Sequence, residues 1–171
     1  MPDIITREIL ENELHSKAIF SVCYNYRYSI TKTYKYGEKK LLFILLNPSQ
    51  ATEKVYDPTL LRCKKRAEKS NYKQLRICNL FALRTTNPEK LKKVYDPIGP
   101  LNNNILKKSI HWSDVIICSW GNLGILNNRA IEVIQLIREN NTPVFHLGLT
   151  KKNQPKHLLY ISYDKIPIKW F

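Results

Sequence analysis

No apolar run in this chain of 171 residues approaches the ~18 that cross a bilayer as a helix, so it reads as soluble, without a membrane span or membrane partner. The N-terminus, Met-Pro-Asp-Ile-Ile-Thr-Arg-Glu, lacks the layout of a secretory leader, and the expected compartment is the cytoplasm. Cysteine is sparse. Cys23, Cys63, Cys78 and Cys118 form no Cys-x-x-Cys pair, which argues against a zinc or iron–sulfur site. Three of them fall in or beside apolar stretches, where a free thiol behaves as a small core residue. Also missing are a Gly-x-Gly-x-x-Gly turn, a Walker loop and a Gly-x-Ser-x-Gly elbow, which counts against dinucleotide, P-loop and serine-hydrolase chemistry. Loop carboxylates are few, chiefly Asp57 and Asp96, and this argues against a two-metal nuclease. With no repeat, linker or low-complexity segment, residues 1–171 read as a single domain long enough for a substantial core.

What the chain does carry is positive charge. Lys and Arg number 28 against 14 Asp and Glu, a net charge of +14. The excess is spread over Lys39-Lys40, Lys64-Lys65-Arg66, Lys92-Lys93, Lys107-Lys108 and Lys151-Lys152 rather than held in a tail. A folded basic domain attracts polyanions, of which nucleic acid is the commonest in the cytoplasm. The alternative is a set of lysines on solvated helix faces.

The periodicities alternate between strand and helix. Residues 4–14 allow a short amphipathic helix, and 18–34 read as a long strand or hairpin arm with Tyr24, Tyr26 and Tyr28 on one face. Gly37-Glu38 turns into residues 41–46, a central strand buried on both sides. Asp57-Pro58 starts a helix reaching about Ser70, with Asp57 at the N-cap and proline at N1. Residues 75–78, 115–118 and 144–147 are further strands, and 158–161 a short edge strand. Asn87-Pro88-Glu89 repeats the capped start, and residues 96–100 break the chain before a helix to about Ile110. Residues 121–139 are the strongest helix, with Ile131, Ile134 and Ile137 on one face. The expected fold is an α/β three-layer sandwich with a central, mostly parallel sheet flanked by helices.

Four apolar runs end in short polar motifs. Asn47-Pro48-Ser49 closes residues 41–46 and Asn79-Leu80-Phe81-Ala82 closes 75–78. Trp120-Gly121-Asn122 closes 114–119, and Gly148-Leu149-Thr150-Lys151-Lys152, leading to His157, closes 143–147. Ligands of open α/β sheets sit outside the carboxyl ends of parallel strands, so the four loops predict one shared pocket. Asn47 is suited to orient a water or carbonyl, or to pin its own turn. Asp57 serves as a general base or only as a helix cap. Asn79, in apolar surroundings, needs partners and offers the complement of a nucleobase edge, unless backbone groups satisfy it. Phe81 stacks on a base or joins the core. Trp120-Gly121-Asn122 presents helix N-terminal amides to an anion, or is a tight turn with Trp120 buried. His157, in a long basic loop, donates to developing negative charge or is merely exposed.

Taken together these motifs resemble a bacterial family known as domain of unknown function 1643. The residues that carry the likeness are Arg27-Tyr28, Leu46-Asn47-Pro48-Ser49, Asp57-Pro58-Thr59, Arg62-Cys63, Asn79-Leu80-Phe81-Ala82, Arg84, Asp96-Pro97-Ile98-Gly99-Pro100, Trp120-Gly121 and Leu147-Gly148-Leu149-Thr150-Lys151. The likeness spans roughly residues 20–170 and departs at Asn153, where the family has Gly, and at Leu158, where it has Pro in His-Pro-Leu-Tyr. The motif order is also similar to that of the uracil-DNA glycosylase superfamily. There a water-positioning Asp or Asn follows the first core strand, as Asn47 does. A base-reading asparagine ends an apolar strand like Ile77-Cys78-Asn79, another strand runs into Trp-Gly like Trp120-Gly121, and a histidine loop follows the last strand. The superfamily's His-Pro-Ser is absent here, and His157 is the remaining candidate.

This second resemblance implies a glycosylase-like fold and cofactor-free, metal-independent cleavage of the bond between sugar and a flipped base, a pyrimidine, in repair or phage defence. Asn47, Asp57 and His157 would be catalytic; Asn79, Phe81, Ser49 and Trp120 would bind the base. Arg62, Arg84, Gly121, Asn122, Thr150, Lys151, Lys152 and Lys156 would hold the backbone of single- or double-stranded DNA, with the protein a monomer. Two alternatives stay open: a non-catalytic nucleic-acid-binding domain, and a hydrolase or transferase of free nucleosides or nucleotides.

Overall fold

The N-terminal segment folds as a hairpin, not as the helix its apolar residues allow. The structure, a computed structural model, describes residues 3–171; Met1 and Pro2, which open the stretch read for a leader, lie outside them. Strands β1 (Ile4–Glu11) and β2 (Leu14–Ser21) pair antiparallel from Ile4↔Ser21 to Glu11↔Leu14. Between them Asn12 and Glu13 both take positive φ, 49° and 64°, as a type I′ turn demands. That turn is hard to read because Glu, not Gly, fills its second place, whereas Ile4, Ile5 and Thr6 favour the strand. Residues 18–34 are likewise split. After a turn in which Ser21 N donates to Tyr26 O (3.0 Å), β3 (Arg27–Thr33) returns beside β2. Tyr24 lies in the turn with φ 58°, while Tyr26 and Tyr28 stay stacked, their rings 6.3 Å apart.

The expected central strand is β4 (Glu38–Leu45). Gly37 precedes it at φ +109°, and a side chain there would run into the backbone of Tyr72 and Asn71. β4 lies between β5 (Tyr72–Asn79) and β6 (Val115–Cys118), with β7 (Val144–His146) next, and these neighbours pair parallel. The full order is β1-β2-β3-β5-β4-β6-β7-β8, with β8 (Ile168–Lys169) antiparallel to β7. The eight-stranded sheet is therefore mixed rather than mostly parallel: a parallel centre is extended by antiparallel strands on both sides.

Alternation along β4 builds a core on each face. Leu41, Phe43 and Leu45 cluster with Leu60, Cys63 and Ala67 of helix α1 (Pro58–Lys69). Leu42, Ile44 and Leu46 cluster with Leu106 and Ile110 of α2 (Asn102–Trp112) and with Ala130, Val133 and Ile137 of α3 (Arg129–Arg138). Helices thus cover both faces in an α/β, three-layer arrangement. The helix expected over residues 121–139 is broken: Asn122–Asn128 forms 3-10 turns, and Asn127 and Asn128 adopt φ 53° and 56° before α3 begins. Asparagine tolerates that conformation better than most residues. Of the face expected from Ile131, Ile134 and Ile137, Ile137 is buried and Ile134 packs on the core, while Ile131 is 58% exposed and Ala130 and Val133 join the core instead. Leu158–Tyr160 is a 3-10 turn, not an edge strand; β8 holds the edge. No helix among the described residues is long and apolar enough to cross a membrane.

Candidate functional site

The carboxyl ends of β4 and β5 lie side by side, with Leu45 in register with Asn79. Beyond them, Phe81 N donates to Leu46 O (3.0 Å), which holds the two exits together. At this end a cavity of about 40 Å³ is walled by Asn47, Ser49, Asp57, Asn79, His157 and Arg27. Three of the four strand-following segments expected to share a pocket converge on it; the fourth, Trp120-Gly121-Asn122, does not line it.

Each side chain is held by a local bond that decides which atom is left to act. Asn47 Nδ2 donates to Pro48 O (3.0 Å) and Thr85 O (2.9 Å), so the amide does pin the turn, and Oδ1 is what it offers the cavity. Asp57 Oδ1 accepts the Leu60 N–H at 2.7 Å as the N-cap of α1, leaving Oδ2. Asn79 is 1% exposed; its Oδ1 accepts from Arg27 Nη2 at 3.4 Å, and its buried Nδ2 has no partner among the described residues. Asn102 Nδ2 clamps the same strand end through Asn79 O and Leu80 O, both at 3.0 Å. His157 Nδ1 accepts the Leu159 N–H at 3.2 Å, so the neutral ring carries its proton on Nε2. Burial lowers the pKa of His157 below the ordinary histidine value, opposed by the nearby charge of Asp57.

Arg27 is the residue that sequence reasoning missed. Simple alternation puts it on the same face as Ser29 and Thr31. A β-bulge intervenes, because Ile19 pairs with Ser29 but Phe20 pairs with Arg27, leaving Tyr28 as the extra residue. Bulges re-aim side chains. This one turns Arg27 to the α1 face, where its Nη1 donates to Ala51 O at 2.9 Å. Its appearance in the family-like Arg27-Tyr28 motif was the one available signal.

Several predicted site residues lie elsewhere. Phe81 and Trp120 are 0% and 1% exposed within the α2–α3 core cluster, so neither has a ring face free for a base. Trp120 Nε1 is satisfied by Gln154 Oε1 at 2.9 Å. Gly121 gives its N–H to Pro155 O (2.8 Å) and opens only a short 3-10 segment, so the expected helix N-terminal anion site is not formed. Asn122 Oδ1 accepts from Thr150 Oγ1 at 2.7 Å, tying both to the loop. Arg62 Nη1 donates to Ile161 O at 2.7 Å and lies over Tyr163, turned to the C-terminal segment instead of a ligand. Lys151, Lys152 and Lys156 are exposed on the turn over residues 148–157, which is closed by Thr150 N to Gln154 O (2.8 Å) and Lys156 N to Gly148 O (2.9 Å). Arg84 bonds Tyr24 O at 3.2 Å and lines a second, open basin of about 400 Å³ with Tyr24, Asn25, Gln50, Thr85, Thr86 and Lys90. Ser49 lines both basin and cavity.

A family model described as a protein of unknown function, domain of unknown function 1643, matches residues 27–159. The chain belongs to this family. The matched span of this DUF1643 protein begins at Arg27 and includes every residue that lines the cavity, while β1 and β2 lie outside it. The two positions at which the chain is expected to depart from the family pattern are accommodated locally. Asn153 adopts φ 55°, a left-handed conformation suited to the expected glycine or to asparagine, and Leu158 is fully buried in the cluster beside α1. No curated protein and no solved structure gives a significant match to this DUF1643 chain.

Proposed function

We propose that this protein hydrolyses the N-glycosidic bond of a flipped-out damaged or modified base, a pyrimidine, in DNA, as a metal-independent monofunctional glycosylase serving repair or phage defence. The observation that carries the reading is the convergence of Asn47, Asn79 and His157 with Asp57 on one cavity. At about 40 Å³ it holds a water or the corner of a ligand, and the adjoining basin of about 400 Å³ has room for the rest of a nucleotide. A uracil-DNA-glycosylase-like fold is part of the proposal, supported by the parallel centre, the helices on both faces and the polar strand ends.

In the proposed reaction Asn47 Oδ1 and Asp57 Oδ2 orient a water toward C1′ of the sugar. The bond from C1′ to the base nitrogen breaks and its electron pair leaves with the base. The water oxygen bonds to C1′, and its proton passes to Asp57 and then to solvent. His157 Nε2–H donates to the oxygen on which the departing base carries charge, the logic of an oxyanion hole. Asn79 reads the base edge. Tyr24, which lines the basin, takes the stacking role that the buried Phe81 and Trp120 lack. Lys151, Lys152 and Lys156, exposed beside His157, hold phosphates.

The test is base release in EDTA at low salt from oligonucleotides carrying uracil, other damaged bases or modified cytosines, with abasic sites revealed by alkali. Product is expected to fall at least ~10²-fold in Asn47→Ala, His157→Ala and Asp57→Asn. The last variant retains a capping oxygen, so its fold should survive. Tight DNA binding with no product from any oligonucleotide would replace this reading with that of a binding domain.

A further inference from the structure

We propose that the cavity is an oxyanion site in which Arg27, with Asn79, holds a negatively charged or strongly polarised oxygen of the ligand. Arg27 is 4% exposed, yet it forms none of the ion pairs found among the described residues. A buried guanidinium without a directly paired carboxylate is expensive, because its desolvation is offset only by the unpaired charge of Asp57 across the cavity. Its protein contacts are a carbonyl, Ala51 O, and a long bond to Asn79 Oδ1 at 3.4 Å. Two donors remain buried and unpartnered at this place, Arg27 Nε and Asn79 Nδ2. The third donor is His157 Nε2–H, set by the bond that His157 Nδ1 accepts.

Three donors on the wall of a volume that fits little more than one oxygen-bearing group are the complement of an oxyanion, with the Arg27 charge balancing that of Asp57 on the same wall. Burial lowers the pKa of Arg27 to about 10, which still leaves it charged at neutral pH. The bulge at Phe20 and Arg27 gives the guanidinium a fixed place in the wall, as a preorganised donor requires. Two sources share this chemistry: a base oxygen, which rests on the glycosylase reading, and a phosphoryl oxygen, which does not.

Thermal unfolding of the full chain, titrated separately with inorganic phosphate and with free uracil, tests the site without requiring catalysis. At about ten times its dissociation constant the bound probe is expected to raise the wild-type midpoint by ~3 °C, saturably, and to leave Arg27→Met unmoved. A response to uracil alone assigns the base oxygen, and a response to phosphate alone the phosphoryl group. Should Arg27→Met fail to fold, Arg27→Lys decides, since it keeps the charge and loses the fork: affinity at least tenfold weaker supports the site, and equal affinity overturns it. No response to either probe in the wild type, or the same response in Arg27→Met, also overturns it. Arg27-dependent binding without base release from any oligonucleotide keeps the oxyanion site and removes only the glycosylase reading.

Discussion

A single hydrogen bond fixes what His157 does with protons. Its Nδ1 accepts the Leu159 N–H, so a second ring proton must break that bond as well as enter a buried site beside Arg27. Burial lowers the folded pKa, opposed by the charge of Asp57. A base whose pKa is lower folded than unfolded binds more protons when unfolded, so stability is lost as pH falls below about 6.5, the unfolded value, toward the folded one. Denaturant midpoints measured between about pH 7.5 and pH 5 should fall in the wild type. They should fall less in His157→Asn, whose side-chain oxygen still accepts the Leu159 N–H. Equal slopes in the two proteins would show that another group carries the acid limb.

At the scale of elements, the loop from β4 to α1 decides whether Asn47, Ser49 and Asp57 stay in place, and two buried cations of β3 hold it. Arg27 reaches Ala51 O; Lys32, 0% exposed, reaches Glu53 O at 3.1 Å and Ser16 Oγ at 2.8 Å and lies 4.4 Å from the Tyr56 ring centroid. Burial lowers the pKa of Lys32 to about 8. Its share of stability therefore rises with pH from about 8 to the unfolded value near 10.4. Lys32→Met should lack that rise and should speed amide exchange across residues 48–57, both referenced to the wild type so that buried tyrosines and thiols cancel.

None of this clamp is legible in the sequence, because an alternating strand with a lysine reads as having a wet face. The local chemistry is legible: Asp57-Pro58, Asn87-Pro88 and the apolar run at 41–46 form the elements they predict. So is the meeting of Asn47, Asn79 and His157, since parallel strands with crossover helices bring their carboxyl ends to one side. What escapes are features decided by pairing, not composition. The Asn12-Glu13 turn, the bulge that reverses Arg27 and the break at Asn127-Asn128 each follow from a partner strand or a core position that no local window contains.

Over the whole molecule the net charge of +14 sets how partners are met. If DNA is the substrate, association weakens steeply with salt, by about 0.9 in logarithmic slope for each phosphate neutralised on a duplex. Replacing Lys151, Lys152 and Lys156 by Gln should lower that slope by about 1–3, read by fluorescence anisotropy across a salt series. An unchanged slope would remove this loop from the interface. The sheet adds a connection of another kind. Arg7, on the outermost strand β1, forms an ion pair with the buried Glu53 at 3.0 Å, and Glu53 belongs to the clamped loop. β1 lies outside the span that defines the family. Sequence drift in a strand outside the matched span can therefore adjust how firmly the loop that walls the cavity is held, while leaving every cavity residue untouched.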